Sequence, residues 1–276
     1  MSNGRLLWKA FMAENRLFMR TPVAAFFTIG LPVIMLILFV TLFGNDPVIE
    51  NARTQGQEIT TAQFYAPALA VFAAASATYT NIAINLTIRR DDGVLKRVRG
   101  TPIPPGIFLA GSVLSGVAIA FVATAIMMWI GWNWYGISLS PGQLPAMIVA
   151  LLFGTICFSS LGLALASLSK TASGAPAIAN ATILPMAFIS DVFVALGEPP
   201  AWLDTLGNVL PLKPFAVAFS EAMSPFRDGF VVEWDRIAVM VVWTVVGAVV
   251  TAKFFRWEPL PGASGSRRRR RSEVSA

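Results

Sequence analysis

The chain has 276 residues, 55% of them hydrophobic and 13% charged, with a net charge of +6, one cysteine and no histidine. Soluble domains carry about 25% charged residues, so a soluble globule is excluded. The lone Cys157 rules out an intrachain disulfide and a Cys₄ or Cys₂His₂ zinc site, and the missing histidines remove the commonest general base and transition-metal ligand.

In chain order, residues 5–20 predict an amphipathic helix. Arg5, Lys9, Arg16 and Arg20 share one stripe, while Leu7, Trp8, Phe11 and Phe18 share another. Residues 1–21 are too short and too charged to cross a bilayer, and are expected to lie in the interface with the apolar face down. From residue 22 onward, apolar runs of 18 or more residues recur, each long enough for a hydrocarbon core of about 30 Å. They predict spans at about 22–44, 63–87, 105–131, 143–168, 175–196 and 236–255. A polar loop, 45–61, separates the first two. The expected fold is therefore an all-α polytopic membrane protein with six transmembrane helices in one permease domain, 22–256.

Between spans 5 and 6, residues 199–223 hold two apolar stretches broken at Pro211 and Pro214. Each is too short to cross and too apolar for an ordinary loop, so a pair of re-entrant helices is expected. The tail, 257–276, contains Arg267 to Arg271 between Gly/Ser-rich flanks. It is expected to be disordered and drawn to anionic lipid, with contact to a soluble partner as the rival reading.

With six spans, 17 of the 21 Lys and Arg fall on the side of the two ends and 4 on the other. The positive-inside rule then puts both termini in the cytoplasm of a multi-pass plasma-membrane protein. It also makes cytoplasmic the most charged inter-span segment, IRRDDGVLKRVRGTP, 88–102. Arg89 and Arg90 are expected to end span 2 at the interface, where cations are cheap. Asp91 and Asp92 are expected to start a short helix, at the end its dipole favours for anions. Val94, Leu95 and Val98 give that helix an apolar face, and Thr101-Pro102 halts it. A basic loop that merely sets topology needs neither the acids nor the apolar face, so the segment reads as a knob for a soluble partner.

Few polar groups lie within the spans. Asp191, placed by the predicted boundaries inside span 5, either lines a substrate path or pairs structurally with Lys213. Asn81, Asn85 and Asn180 either join helices or line a translocation route. Gly111, Ser115, Gly116, Gly154, Ser160 and Gly162 are expected at close helix contacts. Trp129, Trp132 and Trp134 suit an interfacial aromatic belt, with an aromatic substrate site as the alternative.

The 88–102 segment resembles the signature of ABC-2 type transporter permeases, Glu-Arg-Glu-x-Gly-x-Leu-x-x-Leu-x-x-Thr-Pro. Arg90, Asp91, Gly93, Leu95, Val98, Thr101 and Pro102 match, whereas Arg89 departs from the leading acid. A second stretch from span 5 onward is similar to the family's other signature, with Pro185, Phe188, Ser190, Pro199, Pro211 and Leu212 in register. Asp191 stands where the family usually has Gly. The resemblance covers the whole chain and extends to the daunorubicin-resistance-like subgroup.

The resemblance implies that 89–102 is a coupling helix, with Arg90, Asp91, Asp92, Gly93, Leu95, Arg97, Val98, Thr101 and Pro102 facing a separate ATPase. The chain lacks a Gly-x-x-x-x-Gly-Lys-Ser/Thr loop, which fits ATP and Mg being held by that partner rather than by a cofactor site here. Two copies of the ATPase, a second permease (identical or sister) and membrane lipid are the implied partners, with no nucleic acid. The implied function is the transmembrane subunit of an exporter, not an enzyme, for an amphipathic drug, lipid or lipid-linked molecule. Polysaccharide export and a proton-coupled transporter using Asp191 are the alternatives, the latter lacking further intramembrane ionisable groups and an internal repeat.

Overall fold

The structure is a computed structural model, and it describes residues 2–49, 58–100, 104–193, 200–227, 229–255 and 257. Helix α1, Asn3–Met19, lies against the bundle through Ala10, and α2 follows at Pro22–Phe43. Pro22 suits the first helical turn, where its missing N–H costs nothing. The loop after α2, expected to be only polar, carries a short antiparallel pairing of β1, Pro47–Ile49, with β2, Ile59–Thr60.

Helix α3, Thr61–Asp91, begins in a capping box. Thr60 Oγ1 accepts from the Gln63 N–H and Gln63 Oε1 accepts from the Thr60 N–H, both at 3.1 Å. Its first fifteen residues are rich in alanine and almost all buried, the signature of a helix surrounded on every side. It packs against α2, against α5 (Pro105–Tyr135), against α6 (Leu144–Leu168) and against α9 (Leu212–Ala222). Helix α10 (Trp234–Phe254) lies on α6 and α9.

Small residues set these crossings. A Cβ at Gly162 of α6 would sit 2.8 Å from the carbonyl oxygens of both Thr78 and Tyr79 in α3. One at Gly154 would strike the Phe215 ring of α9 at 2.3 Å. With no hydrophobic drive between helices in lipid, such close backbone approach is what holds them together. Trp129, Trp132 and Trp134 are exposed, near the end of α5.

Five helical segments are long and apolar enough to cross a membrane: Pro22–Phe43, Thr61–Asp91, Gly106–Tyr135, Pro141–Leu168 and Trp234–Phe254. The expected fifth span is shorter than its sequence suggests. Helix α7, Gly174–Ile189, has 16 residues, about 24 Å at 1.5 Å per residue. It ends because Asp191 adopts a left-handed backbone (φ 56), and the Val192 N–H reaches back to the Ala187 carbonyl at 3.2 Å. That six-to-one bond is a Schellman-type stop. The apolar stretches that follow form two short helices, α8 (Ala201–Val209) and α9, separated at Leu210 and Pro211.

Helices α2 and α3 each contain one π-helical turn, at Phe26–Gly30 and Ser76–Thr80. The two are tied together: Asn81 Nδ2 donates to Thr28 Oγ1 at 3.0 Å.

Candidate functional site

The knob between α3 and α5 differs from its expected form. Asp91 is the last residue of α3 and does not start the next helix. Gly93, at φ 70, breaks the chain, a conformation glycine adopts at no steric cost. Only Val94–Arg99 forms the following helix, α4.

Arg90 is not at a wet interface. It is 3% exposed, and its guanidinium donates to the carbonyls of Ala166 (3.0 Å) and Ser169 (2.6 Å), where α6 ends. A cation is favoured there by the unpaired carbonyls of the helix terminus. Asp91 is 3.5 Å from Arg90 and accepts from the Ala172 N–H at 2.6 Å. Both residues therefore bind the knob to the α6–α7 turn instead of facing outward. Leu95, expected at the centre of a docking face, is fully buried with Leu86 and Ala166, flanked by Phe108, Leu163 and Trp257. Asp92, Lys96 and Arg97 are exposed, and Val98 is half-buried. Thr101, Pro102 and the Arg267–Arg271 tail lie outside the described residues.

The other side of the α3 terminus holds a contact the sequence reading missed. Arg89 forms a two-pronged pair with Glu14 of α1, with Nη1 on Oε1 and Nη2 on Oε2 at 2.7 Å. Ser112 of α5 adds a third bond to Glu14, at 2.9 Å. The Arg89 guanidinium also lies 5.6 Å above the Phe108 ring. The available signal was that Glu14 is the sole acid among the four cations of residues 1–21.

Three of the four candidate path residues come together. Asn81 and Asn85 of α3 and Asn180 of α7 line a cavity of about 580 Å³ closed on another side by α2. Phe27, Leu31, Ile84 and Leu184 supply apolar wall, and no charged side chain among the described residues lines it. Both π turns face this space, through Phe27 and Thr28 on one side and Ser76 and Thr80 on the other. Thr80 Oγ1 is buried with no hydrogen-bond partner among the described residues. π turns concentrate at functional sites.

Asp191 lies apart from that cavity, beyond the end of α7 and not inside a span. Lys213 Nζ sits 3.2 Å from Asp191 and 2.8 Å from Asp204, and Lys213 and Asp191 are both buried. Asp204 also accepts from Asn208 Nδ2 at 2.9 Å, and Arg236 Nη1 donates to Asn208 Oδ1 at 2.5 Å. The network joins α7, α8, α9 and α10. Lys213 beside it holds the Asp204 carboxyl below its ordinary value. The Gly that the family signature carries at position 191 suits the left-handed backbone found there, and aspartate is among the few other residues that tolerate it.

Long apolar helices around a neutral-lined cavity define an integral membrane protein of the permease class. The chain belongs to the ABC-2 type transporter family, whose pattern matches residues 5–224. It is 31% identical over 260 residues to the "Daunorubicin resistance ABC transporter permease protein DrrB1" of Streptomyces coeruleorubidus, covering 91% of this chain and 84% of that protein. It is 23% identical over 243 residues to the "Inner membrane transport permease YadH" of Escherichia coli (strain K12), covering 86% and 88%. It is thus a membrane transport permease of the ABC exporter type, and the likeness extends to the drug-exporter subgroup.

Proposed function

We propose that this chain moves an amphipathic drug, lipid or lipid-linked molecule outward across the plasma membrane, through the space between α2, α3 and α7. The cavity carries the reading. Its volume, about 580 Å³, lies within the 300–1,000 Å³ typical of small-molecule sites. Its wall mixes aromatic and aliphatic side chains with uncharged hydrogen-bonding groups, Asn81, Asn85 and Asn180. Such a wall suits an apolar body bearing hydroxyl or carbonyl groups, and offers no counter-charge to a densely charged polymer.

In this reading α7 is the sixth crossing and the α8–α9 pair is re-entrant, with both termini cytoplasmic. ATP and Mg are held by two copies of a separate ATPase, and a second permease, identical or sister, completes the path. The ATPase seats on the exposed rim of the knob, at Asp92, Lys96 and Arg97, while Arg90, Asp91 and Leu95 keep that rim rigid.

The test uses the chain co-expressed with its ATPase in inverted vesicles, with daunorubicin as the probe. Accumulation should require ATP and fall in Asn85→Ala and Asn180→Ala, with the melting temperature retained. Uptake that persists without nucleotide and collapses with the proton gradient would overturn the proposal.

A further inference from the structure

We propose that Glu14 is the positioning residue that carries movement of the knob into the wall of the cavity. The inference rests on the exporter reading above, since it needs a motor acting on the knob.

The argument starts at the end of α3, which is gripped from two directions by adjacent residues. Arg90 reaches to the terminal carbonyls of α6, and Arg89 reaches the other way to Glu14. Displacing the knob therefore displaces Arg89. The Arg89–Glu14 contact can transmit that displacement for three reasons. It is two-pronged, which fixes direction as well as distance. Its side chains are only 16% and 14% exposed, so water does not readily replace either partner. Ser112 holds the same carboxylate against α5.

On the far side of Glu14, α1 lies along the surface of α5 and is placed to act as a lever. Its cations Arg5, Lys9 and Arg16, and Arg20 just past its end, are all exposed, so among its described charged residues Glu14 alone grips the bundle. Ala10 rests directly on Gly111 of α5, where an added Cβ would meet the Ala10 Cβ at 2.6 Å, and this contact supplies a pivot. Beyond Glu14, towards Thr21 and Ala24, a groove separates α1 from α3 and α5, giving α1 somewhere to move. The groove meets the main cavity at Thr21, Ala24, Asn81 and Asn85.

The joint to α2 is short. The Arg20 N–H bonds back to Arg16 and Leu17, and Thr21 Oγ1 donates to the Leu17 carbonyl at 2.9 Å. Motion of α1 thus arrives at α2 within one turn of Val23, Ala24 and Phe27, which line the cavity. The π turn at Phe26–Gly30 is the compliant point at which α2 bends, while Asn81 holds Thr28 to α3.

The experiment places spin labels on α1 and α5, at exposed positions outside the clasp, as Met19→Cys and Leu114→Cys in a Cys157→Ala background. The chain is purified with its ATPase, and the inter-label distance is measured without nucleotide and after trapping with ATP and vanadate. The distance should shift on trapping. Glu14→Gln should lose the shift while the ATPase still co-purifies and hydrolyses ATP. The exchanged pair Glu14→Arg/Arg89→Glu should regain it, and Ser112→Ala should retain part of it, which covers the case in which the exchanged pair does not fold. A Glu14→Gln protein that shifts like the parent, or a parent whose α1 does not move beside an active ATPase, overturns this inference alone. Failure of any ATPase to co-purify with the parent overturns the exporter reading and this inference with it.

Discussion

Lys213→Met isolates the energetics of the ionic network at the end of α7. The Lys213 side chain is 7% exposed and lies between two carboxylates of different standing: Asp191 is 10% exposed and Asp204 50%. Removing the ammonium lets Asp204 rehydrate but takes from Asp191, which stays buried, the cation 3.2 Å away. Breaking a buried pair from one side costs about 3–5 kcal/mol. Methionine keeps the aliphatic stem that fills the space over Gly207, where an added Cβ would meet Lys213 Cδ at 2.7 Å, so the loss is electrostatic and not a cavity. At about 2–4 °C per kcal/mol for a chain of this size, the melting temperature should fall by about 6–20 °C. The buried Cys157 thiol provides the assay, because a thiol-reactive fluorophore reaches it only as the bundle opens. Adding Asp191→Asn, which tolerates the left-handed backbone, should recover roughly half of the loss or more, because the buried carboxylate that faced Lys213 is then neutral. A Lys213→Met protein melting within about 2 °C of the parent, less than 1 kcal/mol on that scale, would refute the reasoning and mean that Asp191 is hydrated in the folded chain.

Three further outcomes follow from the geometry. Gly162→Ala should destabilise by about 1–3 kcal/mol, because two backbone carbonyls at 2.8 Å cannot yield; Gly4→Ala, with nothing near its Cβ, serves as the silent control in the same melting assay. Because the Asp204 carboxyl is held below its ordinary 3.8 in the fold, its contribution is fully present above that value and is lost as pH falls through the lower folded one. The Asp204→Asn and parent proteins should therefore differ in melting temperature by a constant amount from pH 7 to 5 and converge below about pH 4. On the knob, Leu95→Ala should cost about 2–5 kcal/mol of stability. Arg97→Glu should leave the melting temperature almost unmoved yet lower recovery of the ATPase in a pull-down, which separates a packing residue from a docking one.

The apolar runs made the long helices legible, because in lipid each backbone polar group must be satisfied within its own segment. The two short helices were legible for the same reason, from runs too brief to cross. What periodicity could not supply was the direction in which each charge points. Arg90 and Leu95 turn inward because the end of α6 happens to lie beneath the knob, and nothing local to 88–102 reveals that. Asp191 was placed inside a span because the hydrophobic pattern runs on past Ile189; its left-handed backbone ends the helix sooner. The neutral asparagines stood out as candidates because amides at membrane depth face protein or water. Their meeting around one cavity depends on packing between α3 and α7, which are almost a hundred residues apart in sequence.

The paired π turns bear on how the length of this chain can vary. Each holds one residue more than an α-helical turn, and side chains advance by about 100° per residue. Dropping a residue elsewhere along α2 or α3 would spin the remainder of the helix and scramble the stripe facing the cavity. Dropping one from Phe26–Gly30 or Ser76–Thr80 closes an ordinary helix and leaves both flanks in phase. Single-residue gaps between this permease and its relatives should therefore gather at these two turns.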